Sequence, residues 1–248
     1  MLRFSLVSVL CLAVLDCSVP RRSIVGRAPV SPDAVAVDAD TVAGKRHYGR
    51  GYPAQNRDGS VNAVIEIPSG TTAKFEVDDD KGVLRWLRDR DHGGRREIDY
   101  LAFAVNYGMI PRTLAQDGDA LDVIVLGAGI ERGHVARTRI IGVLKMADDG
   151  ELRDDKLIAV PLDPELRNGF SRLHDLHELD EHYAAARDIL YLWFSNYWGA
   201  GATKVIGWGD AAEAAAILEA SKLKERSRSP VAAGLHPRAP SPSVERAR

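Results

Sequence analysis

Residues 61–87, VNAVIEIPSGTTAKFEVDDDKGVLRWL, hold three short runs in which apolar and polar side chains alternate, separated by turn-forming residues. A period of two puts every second side chain on one face of an extended chain, so VNAVIEI, AKFEV and VLRWL read as strands. PSGTT supplies the first turn, and Asp78-Asp79-Asp80-Lys81-Gly82 reads as a hairpin turn closing at Gly82. An EF-hand reading of that acidic run fails, because it lacks the ligand pattern ending in Glu between two helices. Further along, DVIVL, the long run VARTRIIGVLKM and KLIAVPL continue the strand pattern. The period changes only late. From Leu176, the positions Leu179, Tyr183, Ala186, Leu190, Trp193, Phe194 and Tyr197 fall near a 3.6 spacing and predict an amphipathic helix. Asp210, with Glu213 three residues on, is a capping-box pattern that opens a last helix through AAEAAAILEASKL. Strands first and helices last predict a mainly β fold of the α+β kind. That means a barrel or sandwich with flanking helices, not a parallel βαβ array.

Around this centre the composition is that of an ordinary globular chain: 248 residues, 45% hydrophobic and 27% charged, enough to bury a core. Thirty-three basic against 35 acidic side chains leave a formal charge of −2, which excludes a nucleic-acid-coating protein and a fully disordered chain. Both cysteines, Cys11 and Cys17, lie near the N-terminus, so the rest of the chain carries neither a disulfide framework nor a thiolate metal site. Residues 1–17 hold one Arg and an apolar run from Phe4 to Leu15, too short for a comfortable membrane span and suited to a secretory signal. The reading is export to the periplasm or exterior. The alternative is a buried N-terminal helix in a cytoplasmic protein, and Asp16 beside Cys17 argues against a lipoprotein acceptor. Residues 18–60 read as an extension lying over the main domain at 61–223. Residues 224–248 read as a disordered basic tail rich in Pro and Ser. Without interleaved aromatics that tail reads as solvated, so no nucleic-acid partner is expected. No stable membrane partner is expected either, unless the N-terminal segment is retained or lipidated.

Chemistry concentrates in acidic clusters. The sharpest is Asp117-Gly-Asp119-Ala-Leu-Asp122, entering DVIVL; aspartates two apart on an extended chain point the same way. Two carboxylates ~4 Å apart at an effective dielectric near 20 repel by about 4 kcal/mol, so a convergent trio calls for cations or protons. Oxygen ligands without His or Cys favour Mg²⁺, Mn²⁺ or Ca²⁺ over zinc, while the same residues also fit an acidic surface turn. A second set, Asp148, Asp149, Asp154 and Asp155 followed by Lys156, fits either a site or a solvated hairpin loop. A third, Glu66, Lys74 and Glu76, can share one barrel face or form an exposed ion pair.

Taken in order, IEIPSGTTAKFEV, NYGMIPRTLAQDGDALDVIVLG, IGVLKMADDGELRDDKLIAVP and, after a helix, GWGDAAEA resemble the family I soluble inorganic pyrophosphatases over about residues 61–220. The resemblance implies an OB-like, five-stranded closed barrel with flanking helices. It also implies hydrolysis of Mg²⁺-bound pyrophosphate to two phosphates by a metal-bridged water, with several Mg²⁺ per site and Mn²⁺ as a possible substitute. It assigns Asp117, Asp122 and Asp154 to the activating metals, Asp148 to a further, substrate-borne metal, and Glu66 to metals through water. Asp119 becomes the general base, with Tyr107 and Arg88 as catalytic partners. Lys74, Arg88, Tyr107, Lys156 and Tyr197 match phosphate-holding positions, and Glu76 and Asp149 match acidic pocket positions. The substrate partner is Mg-pyrophosphate, and relatives imply a homo-oligomer.

Departures from the family pattern are specific. Phe103 stands where the family has Tyr, Ala120 where it has Pro, and Tyr197-Trp198 where it has Tyr-Lys, so one phenol and one ammonium are absent. Lys204 is a candidate substitute for that ammonium. An insertion, Asp91-His92-Gly93-Gly94-Arg95-Arg96, is either a solvated loop or a source of arginines at the pocket mouth. The metal ligands and the base are retained, so the expectation is an active enzyme with a weakened grip on its anion. A non-catalytic homologue binding pyrophosphate or other polyanions is the alternative.

Overall fold

The computed structural model describes residues 23–89, 93–148, 152–199 and 203–223. Residues 1–17, expected to be an export signal, Asp91 and His92 of the insertion, Asp149 and the tail 224–248 lie outside the described residues, as does the side chain of Asp148. In chain order the N-terminal segment forms β1 (Ile24–Val25), β2 (Ala28–Pro29), β3 (Ala34–Ala36) and β4 (Thr41–Gly44). The alternating runs become β5 (Val61–Ile67), β6 (Phe75–Asp78) and β7 (Val83–Trp86), with Gly82 N–H closing the β6–β7 turn onto Asp78 O at 2.6 Å. Then come β8 (Asn106–Met109), β9 (Asp122–Val125), β10 (Val135–Asp148), β11 (Leu152–Arg153) and β12 (Lys156–Pro161). Helices α1 (Leu176–His182) and α2 (Ala186–Asn196), strand β13 (Lys204–Gly209) and helix α3 (Ala211–Ser221) complete the chain.

Five strands close on themselves. β5, β8, β9, β12 and β10 pair in that order, and β10 pairs back onto β5, giving the five-stranded OB-like barrel expected. Closure removes the free edges of an open sheet. It depends on the 14-residue length of β10, which serves β5 with 135–138, β12 with 138–144 and β13 with 143–147. A register shift between Ile140 and Gly142 bends the strand around the ring. Side chains on these strands alternate between two cores. Val123, Val125, Leu157 and Ala159 join a cluster with Ala214 and Leu218 of α3, while Ile124, Ile158 and Val160 join Leu176, Leu190, Trp193 and Phe194 of α1 and α2. Both faces are covered, which is why KLIAVP reads as an apolar run rather than an alternating one.

The amphipathic stretch from Leu176 differs from the single helix its spacing predicts. It breaks between His182 and Ala186, with Ala185 in a left-handed conformation at φ 62°. Tyr183 leaves the helix to stack on Phe170 with ring centroids 4.0 Å apart. The apolar faces of both pieces still reach one core, so periodicity located the buried residues without establishing continuity. Only half of the capping box at α3 forms. Asp210 accepts the Glu213 N–H at 2.8 Å, but the Glu213 carboxylate turns to Lys145 at 3.1 Å.

Strands β3 and β4 of the N-terminal segment extend the β6–β7 hairpin into a second sheet, in the order β3-β4-β7-β6. The segment's hold on the barrel runs through Arg132, which is 0% exposed. The Arg132 guanidinium lies 3.9 Å from the Phe75 ring centroid, donates through Nε to Glu66 O at 2.9 Å and through Nη1 to Val25 O. Burial lowers its pKa to about 10.

Candidate active site

Three neighbouring barrel strands bring charged groups to one place. Asp122 opens β9 and Lys156 opens β12, and the two face each other in parallel register. Lys156 Nζ donates to Asp122 Oδ2 at 2.8 Å and to Asp154 Oδ1 at 2.8 Å, and the Tyr107 hydroxyl of β8 donates to the same Asp122 Oδ2. Lys156 is 1% exposed. Burial opposes its charge, but Asp122 and Asp154 outweigh that and raise its pKa above the ordinary lysine value. Burial, then Asp122 and Asp154, push the Tyr107 phenol well above its usual range. Gly108 follows Tyr107 because a Cβ there would lie 1.8 Å from Val64 O. Asn106, fully buried, donates to Val125 O and Ala128 O and accepts the Ser69 and Ile130 N–H groups, pinning loops around the barrel end.

The hairpin side adds a second ammonium. Lys74 Nζ lies 3.1 Å from Glu76 Oε1 and 5.1 Å from the Tyr107 ring centroid, while Lys156 lies 5.6 Å from the same ring. For Lys74 too, burial opposes the charge and Glu76, Asp122 and Glu66 overcome it. Glu66, 4% exposed, accepts the Val77 N–H at 2.8 Å. Its pKa is raised well above the usual value by burial, then by Glu76. Tyr197, at the end of α2, belongs to the same neighbourhood: burial raises its pKa, while Lys156 and Lys74 pull it down. Beneath lies an aromatic layer in which Trp193 stacks on Tyr197 at 4.9 Å and touches Phe103 at 4.4 Å. Phe103 is a buried member of that layer, 2% exposed.

Asp117 and Asp119 do not sit on the extended chain expected of them. The segment is a turn with Gly118 at φ +96°, a value a side chain would resist, and the Asp119 N–H donates to Asp117 Oδ1 at 3.0 Å. Asp117 faces solvent. Asp119 is exposed as well, but carboxylates lie around it: its pKa is raised by partial desolvation and then by Asp117, Glu76, Asp122 and Asp79. Neighbouring Asp154 and Asp155 separate in role, because Asp155 turns to Arg153 at 2.6 Å and accepts the Met146 N–H.

Arg88 is not brought to the cluster. By strand alternation it follows Trp86, on the face opposite Lys74 and Glu76. There its Nη2 donates to Asp40 at 2.9 Å, and Arg95 lies 2.6 Å from the other oxygen of that carboxylate. Asp40 belongs to the N-terminal segment, and nothing in its local sequence marks it as a partner of either arginine. Arg132 was equally invisible, since its partners are backbone carbonyls distant in sequence.

Among the described residues no three acidic or histidine side chains converge closely enough to hold a metal ion without rearrangement. Asp122 and Asp154 are instead bridged by Lys156. The donor set nevertheless fits a hard divalent cation. It is all oxygen, and Asp119 and Glu66 both carry raised pKa values, first through desolvation and then through the carboxylates beside them.

Comparison with known proteins follows the same lines. Residues 63–225 match the family profile described as Inorganic pyrophosphatase. An inorganic pyrophosphatase of Gluconobacter oxydans is 36% identical over 170 residues, which are 67% of this chain and 91% of that protein. The solved inorganic pyrophosphatase of Coxiella burnetii superposes with a TM-score of 0.58 at 31% identity, covering 68% of this chain and 97% of the other. A Trypanosoma cruzi vacuolar soluble pyrophosphatase, truncated at its N-terminal domain and in complex with PPi, shares the fold with a TM-score of 0.65 at 21% identity. That likeness covers 89% of this chain and 96% of the other, more than residues 63–225 alone would supply.

Proposed function

Because the chain belongs to the inorganic pyrophosphatase family, we propose that it hydrolyses pyrophosphate to two phosphates with Mg²⁺ as cofactor, using the cluster around Tyr107, Asp119 and Lys156. The observation that carries this reading is the meeting of a buried ammonium, Lys156, and a half-buried one, Lys74, with two phenols and the carboxylates of Glu66, Glu76, Asp119, Asp122 and Asp154 in one electrostatic neighbourhood. Such mixed charge suits a substrate that is a dense polyanion accompanied by cations. Asp117, Asp122 and Asp154, with Asp148 and Glu66 beyond them, are the residues that would hold the metal; Mn²⁺ meets the same oxygen donors. When bound, the divalent cation offsets phosphate charge and acidifies water.

The remaining work falls to the chain's own groups. Asp119 takes the proton of the attacking water, and the desolvation and neighbouring carboxylates that raise its pKa make it a stronger base than an ordinary aspartate. Lys156 spends two of its three N–H donors on carboxylates, which leaves one for a phosphate oxygen. Lys74, Tyr107 and Tyr197 supply further donors around it. Arg88, paired with Asp40 through Nη2, keeps the remainder of its five N–H groups free of that carboxylate for an anion at the outer edge of the site.

The test is a phosphate-release assay with Mg²⁺ and pyrophosphate. Wild type releases phosphate, and Asp119→Asn loses about 10²–10⁴-fold in turnover, the span of general-base catalysis, while still unfolding cooperatively. Wild-type turnover in that variant overturns the role given to Asp119. No phosphate release from the wild-type chain overturns the function.

A further inference from the structure

The arginine pair Arg95-Arg96 divides its charge unequally. Arg95 is neutralised by Asp40 at 2.6 Å and lies over the Trp86 ring. Arg96 has no carboxylate partner among the described residues. Its guanidinium carbon sits 4.1 Å from the centroid of the Trp198 ring, a stacked cation held without being neutralised. Both ends of this contact are anchored to the cluster. The Arg96 carbonyl accepts the Lys74 N–H at 3.1 Å and the Trp86 indole N–H at 2.8 Å, so the residue is fixed against the strand that carries Lys74. Trp198 follows Tyr197 directly, with ring centroids 5.2 Å apart. Tyr197 in turn feels the charges of Lys156, Lys74 and Asp154. Trp198 itself is 48% exposed, so the Arg96 guanidinium stacked on it stands at the surface beside Tyr197.

We propose that Arg96 is a substrate-binding residue of this site, an un-neutralised guanidinium that Trp198 holds at the rim beside Tyr197 to grip a phosphate oxygen of the entering pyrophosphate. This inference rests on the proposed function and deepens it, because it adds a cation that arrives with the inserted loop. Carboxylates already answer Lys74 and Lys156, whereas Arg96 offers a planar, two-pronged donor set with no such competitor. Trp198 acts through Arg96 and is a positioning residue. It fixes the guanidinium plane while leaving its N–H edge for the anion.

The experiment measures calorimetric binding of imidodiphosphate, a pyrophosphate analogue with a P–N–P bridge, to the full chain in Mg²⁺. Melting temperature and phosphate release are measured alongside. Arg96→Gln is expected to weaken binding about ten- to a hundredfold, the loss of one charge-assisted contact, with the melting temperature unchanged. Arg96→Lys recovers only part of the affinity lost in Arg96→Gln, because it keeps the charge but neither the planar fork nor the stacking. Trp198→Ala weakens binding too, and its effect is smaller when added to Arg96→Gln than alone, since both remove one contact. Wild-type affinity in Arg96→Gln, with wild-type phosphate release intact, overturns this inference alone. So does an equal loss in the Gln and Lys variants accompanied by a lowered melting temperature, which is the signature of a packing role. A wild-type chain that neither binds the analogue nor releases phosphate overturns the proposed function and takes this inference with it.

Discussion

Lys156 and Arg88 are both cations that the family resemblance sends to phosphate, and their surroundings treat them differently. Lys156 is sealed between Asp122 and Asp154, where loss of one partner would strand a buried charge. Arg88 is 63% exposed at its side chain and leans on Asp40. An exposed pair of that kind is worth about 0.2–1 kcal/mol, so Asp40 is a weak competitor for the guanidinium and not a lock on it. Asp40→Asn is therefore expected to lower the KM for pyrophosphate, by at most about fivefold. Steady-state kinetics at constant ionic strength check this. A KM that rises instead makes Asp40 the residue that places Arg88. Phe103 is a different kind of departure. It fills an aromatic layer beside Tyr107 and Trp193 and keeps the packing while forgoing a hydroxyl.

At the scale of elements, the break between α1 and α2 is where local preference and tertiary packing disagree. Alanine is a strong helix former, yet Ala185 adopts φ 62°, ψ 9°, because Tyr183 is drawn onto Phe170 and the chain must restart to aim Trp193 and Phe194 at the core. A left-handed L-residue costs ~1–2 kcal/mol, and glycine recovers most of that at some cost in unfolded-chain entropy. Ala185→Gly is accordingly expected to stabilise the protein by about 0.5–1 kcal/mol. A higher urea midpoint with an unchanged slope is the readout, and a lower midpoint counts against strain at this position. Strand β10 is the opposite case, in which a single long run satisfies every neighbour. Gly142 lets Leu176 and Gly209 approach its backbone, where a Cβ would lie 2.5 Å from Leu176 Cγ.

The whole molecule carries its site at an electrostatic cost. Asp119 and Glu66 hold protons in the fold at pH values where unfolded carboxyls have lost them, since both pKa values are raised above 3.8 and 4.5 respectively. The unfolded chain then binds fewer protons than the native one, so unfolding free energy falls as pH rises. Their favourable contribution is complete below the ordinary values and disappears as pH climbs through the folded ones. In EDTA, the melting temperature of wild type minus that of Asp119→Asn is expected to fall as pH rises above about 4, and added Mg²⁺ to offset the fall by binding the native state. A difference that grows with pH in EDTA contradicts the crowding of Asp119. The N-terminal segment belongs to this balance as well, for it is tied to the barrel through Arg132 and to the arginine rim through Asp40.

By itself, the order of strand and helix periods determined a mainly β fold with late helices. The spacing of Asp117, Asp119, Asp122, Asp154 and Lys156, read with the NYG and LKM segments, determined the family. Those features are local, and a period or a motif is written in adjacent residues. Only the tertiary structure decided that β10 closes the barrel onto β5, that Lys156 bridges Asp122 and Asp154, and that Asp117 and Asp119 lie on a turn. It alone decided that Asp40 draws Arg88 and Arg95 away, and that Arg96 rests on Trp198. Each of these joins residues far apart in the chain, often through backbone carbonyls or ring faces. No residue type announces such a partner, so its identity depends on where the fold delivers it.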